Sequence, residues 1–317
     1  MVWGGRRLAS RLGKLLPSND LYGESWELSD HALHRSVARV GVGEPRTLRQ
    51  LLEMEPDSLF GSHPAPAVFP WLVKLLDAND WLSVQVHPDE EAARRLWPGE
   101  GGKTEAWFVL DAAPGSRIYA GLLPGVDESA LRNALARGAV ADCLHSFEPQ
   151  PGDCLFLPAG TVHAVGGGVL MAEVQQTSDA TFRLFDWNRR DAQGKGRTLH
   201  VEESMACIDW DRGPVTPRRV EGYNEAEGGW RRQRLVECEY FELDYLQSDE
   251  LFDLGGTEQL QAAIVLDGTG RLTTPRGDLE MKAGQTWLLP ASLPTARCVP
   301  TGPLRLLLSS LPQPPRR

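Results

Sequence analysis

Four residues on three separated β-like segments, Gln85, His87, Glu105 and His163, make a set of nitrogen and oxygen ligands suited to one divalent metal. Gln85 and His87 lie in Leu82-Ser83-Val84-Gln85-Val86-His87-Pro88. Alternation along a strand turns Ser83, Gln85 and His87 to one face and Val84 and Val86 to the other. Glu105 lies in Lys103-Thr104-Glu105-Ala106-Trp107, where Lys103, Glu105 and Trp107 share a face, and His163 follows the turn Leu157-Pro158-Ala159-Gly160. Two imidazoles, a carboxylate and an amide oxygen suit zinc, with iron, manganese or cobalt as alternatives. With a single anionic ligand the centre keeps about one net positive charge and can act as a Lewis acid. A lone strand histidine is usually a hydrogen-bonded core or surface residue. The polar Gln-x-His pair on the inward face of an otherwise apolar strand favours the metal. Unpaired polar groups there would each cost about 1–3 kcal/mol, and a shared cation satisfies them together.

The elements that must position these residues are short strands joined by turns, with few helices. A buried strand is expected over 69–77, and further strands near 153–157, 162–165, 169–175 and 181–187. Thr47 is placed to cap a helix from Leu48 to Glu55 that stops at Pro56. Asp89 caps a helix from Glu90 to Trp97, whose early acidic and late basic residues suit its dipole. Asp127 opens a helix through Arg137 that Gly138 closes, and Glu202 to Ile208 reads as helical. Residues 212–229, rich in Gly, Pro and charge, read as a linker, and residues 312–317 as a disordered tail. Pro151-Gly152-Asp153-Cys154-Leu155-Phe156-Leu157-Pro158-Ala159 resembles Ala283-Gly284-Gln285-Thr286-Trp287-Leu288-Leu289-Pro290-Ala291. This repeat predicts two related barrels. His163 then falls opposite Thr295, so the second copy lacks that ligand.

The 317 residues, 41% hydrophobic and 24% charged, suit a globular protein of one large or two ordinary domains. Gly 32 and Pro 23 fit many tight turns. A net charge of −10 argues against nucleic acid or an anionic membrane as the main partner. No apolar run is long enough for a membrane span, and no obligate protein partner is evident. Five cysteines without Cys-x-x-Cys spacing read as reduced thiols of a cytoplasmic protein. The other histidines, His31, His34, His63, His145 and His200, lack ligand partners at useful spacing. Arg189-Arg190 reads as a solvated turn, and the tryptophans as packing residues.

Taken in order, Trp3-Gly4-Gly5, Gly23-Glu24-Ser25-Trp26-Glu27, the Gln-x-His strand, Gly102-Lys103-Thr104-Glu105-Ala106-Trp107, Pro158-Ala159-Gly160-Thr161-Val162-His163 and Glu173-Val174-Gln175-Gln176-Thr177-Ser178-Asp179-Ala180-Thr181-Phe182-Arg183 resemble the type I phosphomannose isomerases, in their short bacterial form. The motifs cover residues 3–210; the C-terminal third resembles the family only weakly. The resemblance implies a mainly β, tandem cupin fold of two jelly-roll barrels with a few short helices. Residues 1–210 would form the metal-binding barrel and 230–311 a degenerate one. It also implies one zinc held by Gln85, His87, Glu105 and His163, and interconversion of mannose 6-phosphate and fructose 6-phosphate. By family motif, Arg183, Lys103 and Glu173 are the expected catalytic residues, and Ser83, with Lys103 and Arg183, contacts the phosphorylated hexose. Relatives usually carry a further strand before Trp-Gly-Gly, so either the chain's start is misplaced or the barrel edge is finished differently.

Aldose–ketose isomerisation moves a proton between C2 and C1 while negative charge develops on the sugar oxygens. Glu173 or a water at the metal is the expected base, with Lys103 and Arg183 stabilising the enediolate and the phosphate. Only five of the 33 basic residues counted as Lys and Arg are lysines, which makes Lys103 more informative. Two other readings compete: a dioxygenase-like metal cupin and a non-catalytic carbohydrate-binding cupin. The lysine–arginine pair and a glutamine in place of a third histidine favour a phosphorylated, non-redox substrate.

Overall fold

The structure, a computed structural model, describes residues 2–39, 44–191, 193–223, 229–275 and 277–312. The chain divides into two compact units, each discontinuous in sequence. The first comprises Met1–Arg6, Asn19–Glu24 and Leu76–Arg219; the second comprises Arg7–Ser18, Ser25–Leu75 and Val220–Arg317.

The first unit is a sandwich of two antiparallel sheets. One has the order Leu144–Phe147, Ile118–Leu122, His163–Val165, Val84–Val86, Phe182–Phe185. The other runs Val169–Gln176, Glu105–Ala112, Asp153–Leu157, Arg218–Arg219, and is extended beyond Val169–Gln176 by strand Trp71–Ala78, whose residues 76–78 belong to this unit. Between them lie Trp107, Val109, Leu155 and Met171 from one sheet and Ile118, Ala120 and Val165 from the other. The opposite face of the five-stranded sheet is apolar as well. Val84, Val86 and Phe182 pack there with Leu131 and Ala134 of helix Glu128–Arg137 and Met205 of helix Val201–Cys207. Burying Val84 and Val86 against helices commits Gln85, one residue out of phase, to the inter-sheet side.

In the second unit, the sheet Arg231–Glu237, Glu242–Ser248, Leu304–Ser310, Gln261–Asp267, Thr286–Leu289 faces the sheet Phe252–Leu254, Ala296–Pro300, Thr269–Thr274, Gly277–Lys282. Leu246, Val265 and Leu306 meet Phe252, Leu272 and Cys298 in a continuous apolar core. The sequence repeat is real at the level of backbone bonding. Gly152 and Gly284 both turn at positive φ, 90° and 83°. Their amides donate to Val109 O at 2.9 Å and Val265 O at 2.8 Å. Leu157 pairs with Glu105, and Leu289 pairs with Gln261. Gln261 therefore stands where the first unit carries Glu105.

The units do not follow the single boundary expected over 212–229. Residues 25–75, expected within the first domain, cluster with the C-terminal strands because their backbone is bonded there. Ala291 N donates to Leu59 O and Ser292 N to Ser58 O, each at 3.0 Å. Within the expected linker, Arg218–Arg219 form an edge strand on Asp153–Leu157, with Arg219 Nε 2.8 Å from Asp153 Oδ1. Residues 224–228 of that linker and residues 313–317 of the expected tail lie outside the described residues.

The helix signals translate closely. Thr47 accepts from Gln50 N in a full capping box ahead of helix Leu48–Met54. Pro56 does more than stop that helix: it opens a second one, Pro56–Phe60, where its missing N–H costs nothing. Asp89 and Asp127 cap helices Glu90–Leu96 and Glu128–Arg137, and Gly138 closes the latter in the left-handed region. No described helix is long and apolar enough to cross a membrane.

Candidate metal centre

One strand pairing and the facing of two sheets bring the expected ligands together. His163 pairs with Gln85 across the five-stranded sheet, and Glu105 faces them from the opposing sheet. His87, Glu105 and His163 are all buried, with one ligand atom from each lying within 4.8 Å of the others. His87 Nε2 is 3.4 Å from Glu105 Oε2, and His163 Nε2 is 3.3 Å from Glu105 Oε1. The Gln85 amide lies 3.2 Å from His163 Nε2 through Nε2, and a half-turn of the amide exchanges that nitrogen for its oxygen. Among the described residues this is the single cluster of three or more His, Cys, Asp or Glu side chains able to share a metal.

The far side of each imidazole is already occupied. His87 Nδ1 lies 2.9 Å from Ala180 O and His163 Nδ1 lies 2.8 Å from Thr161 O. A carbonyl can only accept, so both Nδ1 atoms carry the proton and both Nε2 lone pairs point at Glu105. Burial, and then Lys103, lower the His87 pKa to about 3, and burial lowers that of His163. Both rings are therefore neutral, the state in which imidazole binds a cation. Neither Glu105 oxygen accepts a well-aligned hydrogen bond, although the carboxylate is fully buried. A buried carboxylate whose nearest cationic neighbour is the Lys103 ammonium, 3.1 Å from Oε2, and on which two imidazole lone pairs converge fits a divalent metal.

Lys103 joins the cluster. Its Nζ is 3.1 Å from Glu105 Oε2 and 3.2 Å from His87 Nε2. Burial works against the ammonium, but Glu105 and then Glu173 outweigh it and raise its pKa. Burial likewise opposes charge on Glu105, yet Lys103 holds that carboxyl well below its usual range. The approach to Lys103 depends on Gly102: a Cβ there would lie 2.8 Å from Glu90 N. Gln176 fastens the same loop, accepting from Thr104 N and donating to Glu90 Oε1, each at 2.8 Å.

Glu173 sits on the same face of its strand as the cluster, paired with Trp107, whose indole Nε1 donates to Glu173 Oε2 at 2.9 Å. Arg183 pairs in register with Gln85; its guanidinium donates to Thr198 O at 2.9 Å, and its Nε is buried with no hydrogen-bond partner. Its pKa is lowered by burial and then by the neighbouring Arg197. Ser83 is buried beside the Gln85 strand; among the described residues no hydrogen bond or ion pair links it to Lys103 or Arg183. The solvated-turn reading of Arg189 needs correction. It is half-buried and bonded to Trp81 O and to Asp186, a buried carboxylate that Arg197 Nε also reaches at 2.8 Å. The turn folds back onto Trp81 and Leu82, just ahead of the Gln85 strand, which spacing did not reveal. His200 stands just before helix Val201–Cys207, makes no side-chain cap there, and accepts from Arg183 N through Nδ1 at 3.2 Å. The carbonyls of Thr161 and Ala180 were beyond sequence reasoning because any residue type supplies them.

Comparison with known proteins agrees with this geometry. Residues 1–105 match the family described as phosphomannose isomerase type I, catalytic domain. The mannose-6-phosphate isomerase ManA of Bacillus subtilis (strain 168) is 36% identical over 292 residues, covering 92% of this chain and 90% of its own. A solved mannose 6-phosphate isomerase from Bacillus subtilis superposes with a TM-score of 0.87 at 30% identity, covering 98% of this chain and 96% of its own. A mannose 6-phosphate isomerase bound with zinc and yttrium shares the fold, with a TM-score of 0.72 at 17% identity, covering 99% and 97%. The mainly β, cupin-type architecture is that of these structures. On its sequence and its fold, the chain belongs to the type I phosphomannose isomerase family.

Proposed function

We propose that the chain interconverts mannose 6-phosphate and fructose 6-phosphate, using zinc held by Gln85, His87, Glu105 and His163. The observation that carries this reading is the buried convergence of two neutral imidazoles on a carboxylate that has a lysine ammonium as its neighbour. The donor set suits zinc, and a relative of the same fold binds it. Bound there, the ion supplies Lewis-acid polarisation of the sugar oxygens on which charge develops.

The chain's own groups do the rest. Glu173 moves the proton between C1 and C2 of the sugar, and its carboxylate is oriented for this by the Trp107 indole. Lys103 Nζ, buried and charged, stabilises the enediolate oxygens, where low local dielectric strengthens the interaction. Arg183 and Ser83 take the phosphate at the end of the Gln85 strand. The buried walls exclude water from the enediol.

A coupled assay for fructose 6-phosphate formation, run before and after chelation and without oxygen, tests the reading. Turnover of mannose 6-phosphate that chelation abolishes, zinc restores and oxygen does not affect is expected. A strict oxygen requirement would instead identify oxidative chemistry. Glu173→Gln is expected to lose at least about a hundredfold in kcat, the scale of a general base. Near wild-type turnover in that variant would clear the glutamate of proton transfer.

A further inference from the structure

Gln175 is fully buried and lies in direct register with Glu105 on the neighbouring strand, so both side chains leave the sheet on the same inter-sheet face. Two donations pin its amide: Nε2 reaches Gln176 O at 2.8 Å and Ser178 O at 2.6 Å. Because both acceptors are carbonyls, the amide cannot flip without facing oxygen to oxygen. Its Oε1 is thereby held in one direction, and that atom is buried with no hydrogen-bond partner. Polar groups of the same segment are bonded elsewhere: Gln176 to Thr104 N and Glu90, Ser178 Oγ to Gly101 O, and Ala180 O to His87. A fixed acceptor with nothing to accept, one strand from Glu105, is a site for a donor that arrives from outside the chain.

We infer that Gln175 Oε1 accepts a hydrogen bond from the 3- or 4-hydroxyl of the sugar, away from the reacting C1 and C2, and so helps to select the substrate. The inference rests on the isomerase reading above. A site built to hydrogen-bond a hydroxyl discriminates sharply against the analogue that lacks it, because the site's own polar atom is then left buried and unpaired.

The test compares kcat/KM for mannose 6-phosphate with that for its 3-deoxy and 4-deoxy analogues, in the zinc-loaded wild type and in Gln175→Met. One analogue is expected to lose about tenfold in the wild type. Gln175→Met is expected to lose about tenfold on the parent sugar and nothing further on that analogue. Ser178→Ala loosens the same loop while leaving Oε1 in place, and is expected to keep the discrimination. Gln175→Asn, which withdraws the oxygen by one methylene, replaces the Met variant if the latter does not fold. A wild type indifferent to both deoxy sugars overturns the inference. So does a Gln175 variant that loses the same factor on every sugar, or Ser178→Ala erasing the discrimination, since each means loop support alone. Failure of the wild type to isomerise mannose 6-phosphate at all would remove the isomerase reading and this inference with it, a result distinct from those three.

Discussion

At the scale of single residues, the centre is an arrangement of lone pairs. Backbone carbonyls fix the protons of His87 and His163 on Nδ1, and burial keeps both rings neutral. This has a pH consequence for the metal-depleted protein. On acidification an unfolded histidine near 6.5 takes a proton, whereas folded His87 resists until about 3. The unfolded state then binds more protons, so stability falls as pH drops from about 6.5 toward 3. Thermal unfolding of metal-depleted protein between pH 7 and pH 5 should show this slope, and His87→Gln should flatten it. An unchanged slope in the variant would locate the titrating group elsewhere. Arg183 lies outside the cluster, with its guanidinium on Thr198 O. Arg183→Ala should therefore retain its metal by elemental analysis while kcat/KM falls by at least about tenfold, the loss of a charge-assisted contact. Equal loss of metal and activity would make the arginine a support of the centre instead.

Among the elements, the hairpins set the register that the ligands need. Gly152 and Gly284 occupy equivalent turns, and each turn fixes which residue of the adjoining strand faces Glu105 or its counterpart Gln261. A Cβ at Gly284 would lie 2.1 Å from Leu12 O, on top of a φ of 83°. Gly284→Ala should therefore destabilise the protein by about 1–3 kcal/mol, read as a shifted denaturant midpoint. A neutral outcome would mean that the turn can rebuild itself. The capped helices were legible residue by residue, because Thr47, Asp89, Asp127 and Gly138 act within one turn of themselves. Pro56 ends the first helix as expected and also opens the next, a second role that its position just past a helix end left open.

For the whole molecule, the two units differ in what lies between their sheets: among the described residues the one cluster able to share a metal is in the first, and the second is packed with apolar side chains. The second unit carries Gln261 at the Glu105 position, and its inter-sheet space is filled by Leu, Val, Phe and Met side chains. Metal analysis should return one equivalent of divalent ion per chain. Chelation should lower the melting temperature through loss of that single ligand from the folded state. Two tightly held equivalents would show that the second unit is not degenerate. The chain's division also matters at this scale: residues 25–75, read as part of the metal-binding domain, bond with the C-terminal strands.

Local chemistry was open to reading from the amino-acid order alone: the alternation that separates Gln85 from Val84 and Val86, the helix caps, the repeated turn, and the types of the candidate ligands. These are short-range properties, decided by side-chain period and by φ/ψ preference within a few residues. Convergence was a different matter. Gln85 and His163, 78 positions apart, meet only because their strands pair in one register. The same long-range pairing decided that Ala180 and Thr161 would orient the imidazoles, that Arg189 would fold back onto Trp81, and that Gln175 would lie beside Glu105. Such contacts depend on which sheets face each other, and no local preference of the chain encodes that.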